Sequence, residues 1–248
     1  MAKTKRIGII RISTKLLGIL LRLPKGHRIV DVLGSDQRNW HPYEFEIIVE
    51  GPYGLQVIPG ASGLPDLADL PEAQREVLLR ALLVLDGRVD LLLIDTSAGV
   101  GASVVQFILA AGELLLVTTP EPTAITDAYA LVKILAGYQP PVSIKLVVNN
   151  VQRRGEGEAT GYKLAAVAEQ FLGRRIEIVG ELPHDRNVMA AVSSQCPLLQ
   201  GYPRSPAAVA IEALGEQLWN GEVLTRPKTS LSRFFRNLLA FSPVNTPL

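Results

Sequence analysis

Five short runs rich in branched aliphatic residues, at 55–58, 89–94, 114–118, 143–148 and 176–179, punctuate this chain, and the stretches between them carry helical periodicity. Apolar runs too short to be helices, separated by segments long enough to cross back over a sheet, predict parallel strands joined by right-handed crossovers. The crossover helices are placed at about 70–85, 102–110, 124–135, 161–172 and 206–218. This alternation makes the fold α/β: a doubly wound, mostly parallel sheet in three layers, helix on sheet on helix. No internal repeat and no extended low-complexity tract competes with that reading.

The second run ends in chemistry. Asp90 excepted, 89–94 is continuously apolar, the pattern of a strand covered on both faces, and it closes on Asp95 followed by Thr96, Ser97, Ala98 and Gly99. A carboxylate at the carboxyl end of a buried parallel strand stands where open α/β sheets bind ligands. In P-loop NTPases that place holds Mg²⁺ through a Walker B Asp. The competing reading is an N-cap for a helix beginning near Gly101, because Asp caps well and strand-to-helix turns use small residues.

A chain of 248 residues is long enough for one large α/β domain with a substantial core. Its 25 basic and 24 acidic residues leave a net charge of +1, which gives no general field for nucleic acid or an anionic membrane. No direct sequence-specific nucleic-acid binding is expected. Cys196 is the sole cysteine, which excludes an intramolecular disulfide, fits a reducing cytoplasm and reads as a small buried hydrophobe. The apolar stretch 7–23 is interrupted by Arg11, Lys15 and Arg22 before it reaches the roughly 20 residues of a membrane span. Neither a transmembrane helix nor a secretory signal is expected there. His27, His41 and His184 have no acidic or cysteine partners at metal-ligand spacing, and Ser97 lacks the Gly-x-Ser-x-Gly elbow of a hydrolase. Trp40 and Trp219 read as packing residues, and Asp127 as a cap or ion-pair partner on its helix.

Four ordered segments carry a resemblance. Asp95-Thr-Ser-Ala-Gly99, Thr118-Thr-Pro-Glu-Pro-Thr-Ala-Ile-Thr-Asp-Ala-Tyr-Ala130, Leu146-Val-Val-Asn149 and Gly180-Glu-Leu-Pro-His-Asp185 are similar to segments of MinD/ParA-type ATPases, in the same order. The wording of 119–129, with Val57-Ile-Pro-Gly-Ala-Ser-Gly63, resembles the flagellar-number regulators of the FlhG, FleN or YlxH type. The likeness runs from about Gly51 to Leu218 and resumes at the tail.

The resemblance implies roles. Asp95 would be the Walker B carboxylate, holding Mg²⁺ through a water and organising the attacking water. Asn149 would hydrogen-bond the adenine edge, for which an amide suits because it both donates and accepts. Pro183 and Asp185 would form the other wall of the adenine pocket. On the bare residues, Asn149 also reads as a turn residue and Asp185 as the N-cap of a helix starting near Asn187. ATP and Mg²⁺ are the implied ligands. An ATP-dependent homodimer and a flagellar-assembly or signal-recognition-type GTPase are the implied partners.

One half of that site is missing from the sequence. The family begins with a strand and then Lys-Gly-Gly-x-Gly-Lys-Thr/Ser, whose glycines let backbone N–H groups wrap phosphates while the lysines neutralise charge. After Ile7-Gly-Ile-Ile10 this chain reads Arg11-Ile-Ser-Thr-Lys-Leu-Leu-Gly18, with one glycine among bulky residues. Ser13, Thr14 and Lys15 do not make a nest of backbone donors. Lys25-Gly-His-Arg-Ile29 resembles the start of the family's second strand, yet the Asp-x-Asp that closes it is absent. The amino-terminal βαβ unit is therefore expected to be altered over residues 1–50, and ATP hydrolysis to be very weak or absent. A pseudo-ATPase and a decayed or mistranslated start both account for this.

The tail carries its own signal. After a polar linker at 222–230, Leu231, Phe234, Phe235, Leu238 and Leu239 fall at i, i+3, i+4, i+7 and i+8, one apolar helical stripe, while Arg233, Arg236 and Asn237 lie off it. From Glu222 onward there are four basic residues (Arg226, Lys228, Arg233, Arg236) against one acidic, a local charge of +3. A basic amphipathic helix suits adsorption to an anionic membrane surface; a helix docked over an apolar groove of the main domain has the same periodicity. The organisation expected is an α/β domain over 1–221, the linker, a membrane-targeting helix over 231–241 and a tail over 242–248. The implied location is cytoplasmic, peripheral at the inner face of the plasma membrane. Two functions compete: a nucleotide-dependent regulator of flagellar number or placement that cycles at the membrane, and a non-catalytic interaction module that keeps the fold and the partner surface.

Overall fold

The structure is a computed structural model that describes residues 7–11, 49–50, 56–58, 91–96, 99–220 and 231–240. It divides into two units, Met1–Ala110 with Thr229–Leu248, and Ala111–Lys228. The helix predicted over 70–85, the loop at 34–42, the linker at 222–230, the tail at 242–248 and Ser97, His27, His41 and Trp40 lie outside the described residues.

The first unit holds strands β1 (Ile7–Arg11), β2 (Val49–Glu50), β3 (Gln56–Ile58) and β4 (Leu91–Asp95) in the order β2-β3-β1-β4. β1 is parallel to both neighbours, with Ile9 opposite Val57 on one side and Leu93 on the other, while β2 runs antiparallel to β3. Along β4, Leu92 and Ile94 are half-buried and Leu93 is 40% exposed, so this strand is not sealed on both faces as its apolar run predicts. The following helix α1 (Ala102–Ala111) is apolar almost all round, and Val104, Val105, Phe107, Ile108 and Ala110 are all buried.

In the second unit β5 (Glu113–Thr118), β6 (Ser143–Val151) and β7 (Ile176–Pro183) form a wholly parallel sheet in the order β5-β6-β7. Ile144 to Val148 are buried without a break. Successive strand side chains point to opposite faces, so this run is covered on both, as the three-layer expectation requires. Each of its aliphatic side chains stabilises the fold by about 1.5–3 kcal/mol. Lys145 is the polar exception, and its ammonium is paired with the carboxylate of Glu177, directly opposite on β7.

Helices cover this sheet. α2 (Pro122–Ala136) opens with a proline whose fixed φ suits a first turn, and it buries Ala128, Leu131, Val132 and Leu135, one face at helical spacing. α3 (Glu156–Leu172) packs on β6, β7 and α2. It ends at Gly173, whose φ of 59° lets the amides of Gly173 and Arg174 bond the carbonyls of Glu169 and Ala168. α4 (Arg186–Ser193), the short α5 (Leu198–Gly201) and α6 (Pro206–Asn220) follow, and α6 packs on β7. The helix α7 (Leu231–Ala240) belongs to the first unit.

Strands β6 and β7 outrun their predicted ends at 148 and 179 because the register slips twice between them. Leu146 faces Ile178 but Val147 faces Gly180, which leaves Val179 as an extra residue on β7. Further on, Val148 faces Glu181 but Val151 faces Pro183, which places one extra residue on β6 at Asn149–Asn150. The two bulges cancel and the ladder closes in its original register.

Candidate functional site

The carboxyl ends of parallel strands are where an open α/β sheet exposes ligand-binding groups, and β6 and β7 end side by side. Asn149 lies in the β6 bulge with its side chain exposed. Asn150 follows in the left-handed region at φ 60°, a conformation Asn tolerates, and its backbone N–H donates to Asn149 Oδ1 at 2.8 Å. The ladder resumes with Val151 opposite Pro183, and the His184 amide donates to the Val151 carbonyl at 2.8 Å. His184 Nδ1 lies 2.8 Å from Asn150 Oδ1. The structure thus brings together Asn149 and Pro183, named from the sequence, and adds Asn150, which sequence reasoning passed over, and His184, which it read only as a histidine without metal-ligand partners.

Asp185 stands next. Its Oδ1 accepts from the amide of Asn187 at 2.9 Å as the N-cap of α4, and its Oδ2 accepts from the amide of Ala207 at 3.1 Å in the first turn of α6. The N-cap reading of the sequence is met, and a second helix start is held by the same carboxylate. The Asn187 amide above all, then the Ser205 hydroxyl and the Ala207 amide, hold this carboxyl below the ordinary carboxylate range, against a smaller opposing effect of burial. Ser205, itself buried, accepts from the amide of Ala208 at 3.3 Å. The loop that carries Pro183 and His184 is therefore tied to two helix N-termini, which favour negative charge.

Asp95 is in the first unit. It is the last residue of β4, exposed, and in register with Arg11 at the end of β1. Helix α1 begins only at Ala102, where the Val105 amide bonds the Gly101 carbonyl, so the helix start lies well beyond Asp95. Among the described residues no group of three or more His, Cys, Asp or Glu side chains is arranged to hold a metal ion by itself.

On α7, Phe234 and Leu238 are buried while Arg233, Arg236 and Asn237 are exposed. Two positions of the predicted stripe are therefore covered while the charges off it face solvent. The side chains of Leu231, Phe235 and Leu239 lie outside the described set. Among the described residues no helix is long and apolar enough to cross a membrane.

No family model matches the chain. The antiactivator FleN of Pseudomonas aeruginosa is 34% identical over 194 residues, covering 78% of this chain and 69% of that protein. The flagellum site-determining protein YlxH of Helicobacter pylori is 31% identical over 208 residues, covering 79% of this chain and 67% of that protein. Among solved structures, a ParA family ATPase from Chlorobium tepidum covers 88% of this chain and 87% of its own at a TM-score of 0.66 and 18% identity. The septum site-determining protein MinD of Pyrococcus horikoshii, complexed with Mg-ADP, covers 90% of this chain and 86% of its own at a TM-score of 0.62 and 17% identity. At those identities the two structures speak for the fold.

Proposed function

This chain belongs to the MinD/ParA family of P-loop ATPases, and on that premise we propose that it regulates flagellar number or placement as a nucleotide-responsive protein of the cytoplasm and the inner membrane face. The observation that carries the reading is the likeness to FleN and YlxH, which spans most of this chain. The geometry supports the base-binding end. An exposed amide, Asn149, stands beside the Pro183–Asp185 loop at the carboxyl ends of adjacent parallel strands, and an adenine edge calls for such a group. Asp95, a carboxylate at the end of β4, is the group that would hold Mg²⁺ through a water. Bound Mg-ATP would supply phosphate charge for the protein to position; catalysis of phosphoryl transfer rests on that positioning.

The phosphate end fits less well. Arg11 ends β1, and no Lys-Gly-Gly-x-Gly-Lys run occurs among the 248 residues. We therefore expect purified protein to release phosphate from Mg-ATP no faster than its Asp95→Ala variant does. A turnover that Asp95→Ala abolishes would show a working ATPase. The missing loop favours a second reading, the non-catalytic interaction module. Mg-ATP binding accompanied by dimerisation, measured by calorimetry and light scattering, separates the two: the switch shows both, the module neither.

The tail belongs to the same proposal. Phe234 and Leu238 are buried and Arg233 and Arg236 exposed, so membrane adsorption requires α7 to offer those two apolar side chains to lipid. Vesicles containing anionic lipid should float the full chain and leave behind a chain ending at Gly221. Equal flotation of the two removes the membrane role.

A further inference from the structure

Asn149 is not held by its own strand. It lies in the β6 bulge, where the ladder to β7 is interrupted between Val148 and Val151, and its side chain is exposed. What orients it is a relay of two contacts: the Asn150 amide donates to Asn149 Oδ1, and the Asn150 side chain in turn meets His184 across the strand gap, both at 2.8 Å. With the proton on Nδ1, the His184 ring donates and the Asn150 carbonyl oxygen accepts. Asn150 sits in the left-handed region at φ 60°, which Asn adopts more readily than other residues with a side chain, and the His184 contact fixes that side chain in place.

We propose that His184 and Asn150 form a clasp that positions Asn149 for reading a purine base, so that His184 sets base selectivity without touching the nucleotide. The inference rests on the nucleotide-binding reading above. One consequence is chemical. The Asn150 amide takes up one lone pair of Asn149 Oδ1, which leaves the two N–H donors of the amide and the other lone pair directed to the ligand. Such an edge matches the neighbouring acceptor and amino donor of adenine better than the acceptor pair of guanine. Loosening the clasp lets the amide turn, and the discrimination falls.

His184 is exposed, and its backbone is anchored independently through the Val151 carbonyl, so removing the ring leaves the chain path in place. The test measures binding of Mg-ADP and of Mg-GDP to the full chain by calorimetry, beside the thermal midpoint of each protein. Wild type is expected to prefer Mg-ADP. His184→Ala should reduce that preference roughly three- to tenfold, the worth of one side-chain hydrogen bond. Mg-GDP affinity and the thermal midpoint should stay close to wild type. His184→Asn, whose amide nitrogen can stand where Nδ1 stood, should restore the preference. Asn150→Gly keeps the left-handed backbone without the side chain, and should lose the preference as His184→Ala does. An unchanged preference in both His184→Ala and Asn150→Gly overturns the clasp, and so does an equal loss for both nucleotides with a lowered midpoint. Wild type that binds neither nucleotide overturns the nucleotide-binding reading itself, and the clasp with it.

Discussion

Asp185 shows how much one side chain can organise. Its two oxygens cap α4 and reach the first turn of α6, and the amides that bind them lower its pKa below the ordinary 3.8. A folded-state pKa below the unfolded value means the stabilisation is complete above the unfolded value and is lost as pH falls through the folded one. Thermal midpoints measured from pH 6 downward should therefore drop less steeply in Asp185→Asn, from a lower starting level, than in wild type. Parallel curves for the two proteins would remove Asp185 from the account. A second residue-scale test concerns Lys145, buried and paired with a half-exposed Glu177. Glu177→Ala strands an ammonium in the core and should lower stability by about 1–2 kcal/mol, the figure for a buried pair discounted for the exposed partner. Lys145→Met should be nearly neutral. Denaturant midpoints check both. Of these side chains, Asp185 was legible in the sequence as a cap, whereas its bond to Ala207 was not, because a contact across 22 positions leaves no local pattern. Asn150 was passed over, and His184 was read only as lacking metal-ligand partners, for the same reason.

At the scale of elements, periodicity located the four crossover helices that fall among the described residues and placed one start too late. α3 was expected from Gly161 and begins at Glu156, so that Gly157 and Gly161 both lie inside the helix. Their role is proximity: a β-carbon on Gly161 would stand 2.9 Å from Cδ1 of Ile178, and one on Gly157 would stand 2.9 Å from Cγ2 of Val151. The missing side chains let α3 lie close on β6 and β7. Gly161→Ala gains about 1 kcal/mol of helix propensity but overpacks against Ile178 at a penalty of about 1–3 kcal/mol. We expect a net loss of about 1 kcal/mol in chemical denaturation, and a stabilised variant would show that the contact yields. The strand ends were misread for a related cause. The alternation stops at Val148 and Val179, where the bulges start, and nothing local announces that pairing resumes after them.

For the whole molecule, the sequence named the fold class and the family from ordered short segments, and the parallel strands and covering helices agree. The sequence left the tail open between membrane adsorption and docking, and in the structure Phe234 and Leu238 are buried. Periodicity alone could not choose, because lipid and protein select the same apolar face. Phe234→Asp should therefore disturb two readouts together: vesicle flotation through the lost stripe, and stability of the first unit through a charge placed where the structure buries an aromatic ring. An effect on neither would remove α7 from both roles.

The paired bulges in β6 and β7 have one more consequence, for the lengths that relatives of this chain can tolerate. Each strand carries one surplus residue, and the surpluses compensate, so the span between Leu146 and Val151 is tied to the span between Ile178 and Pro183. A one-residue deletion in either span alone would carry Asn149 or Pro183 to the opposite face of the sheet, because strand side chains alternate. Deleting one residue from each restores the match. In the surface turns at 138–142 and 152–155, a gained or lost residue leaves the ladder untouched. Insertions and deletions across relatives should accordingly come singly in those turns and only in matched pairs within the two spans, a constraint on reading frame length rather than on residue type.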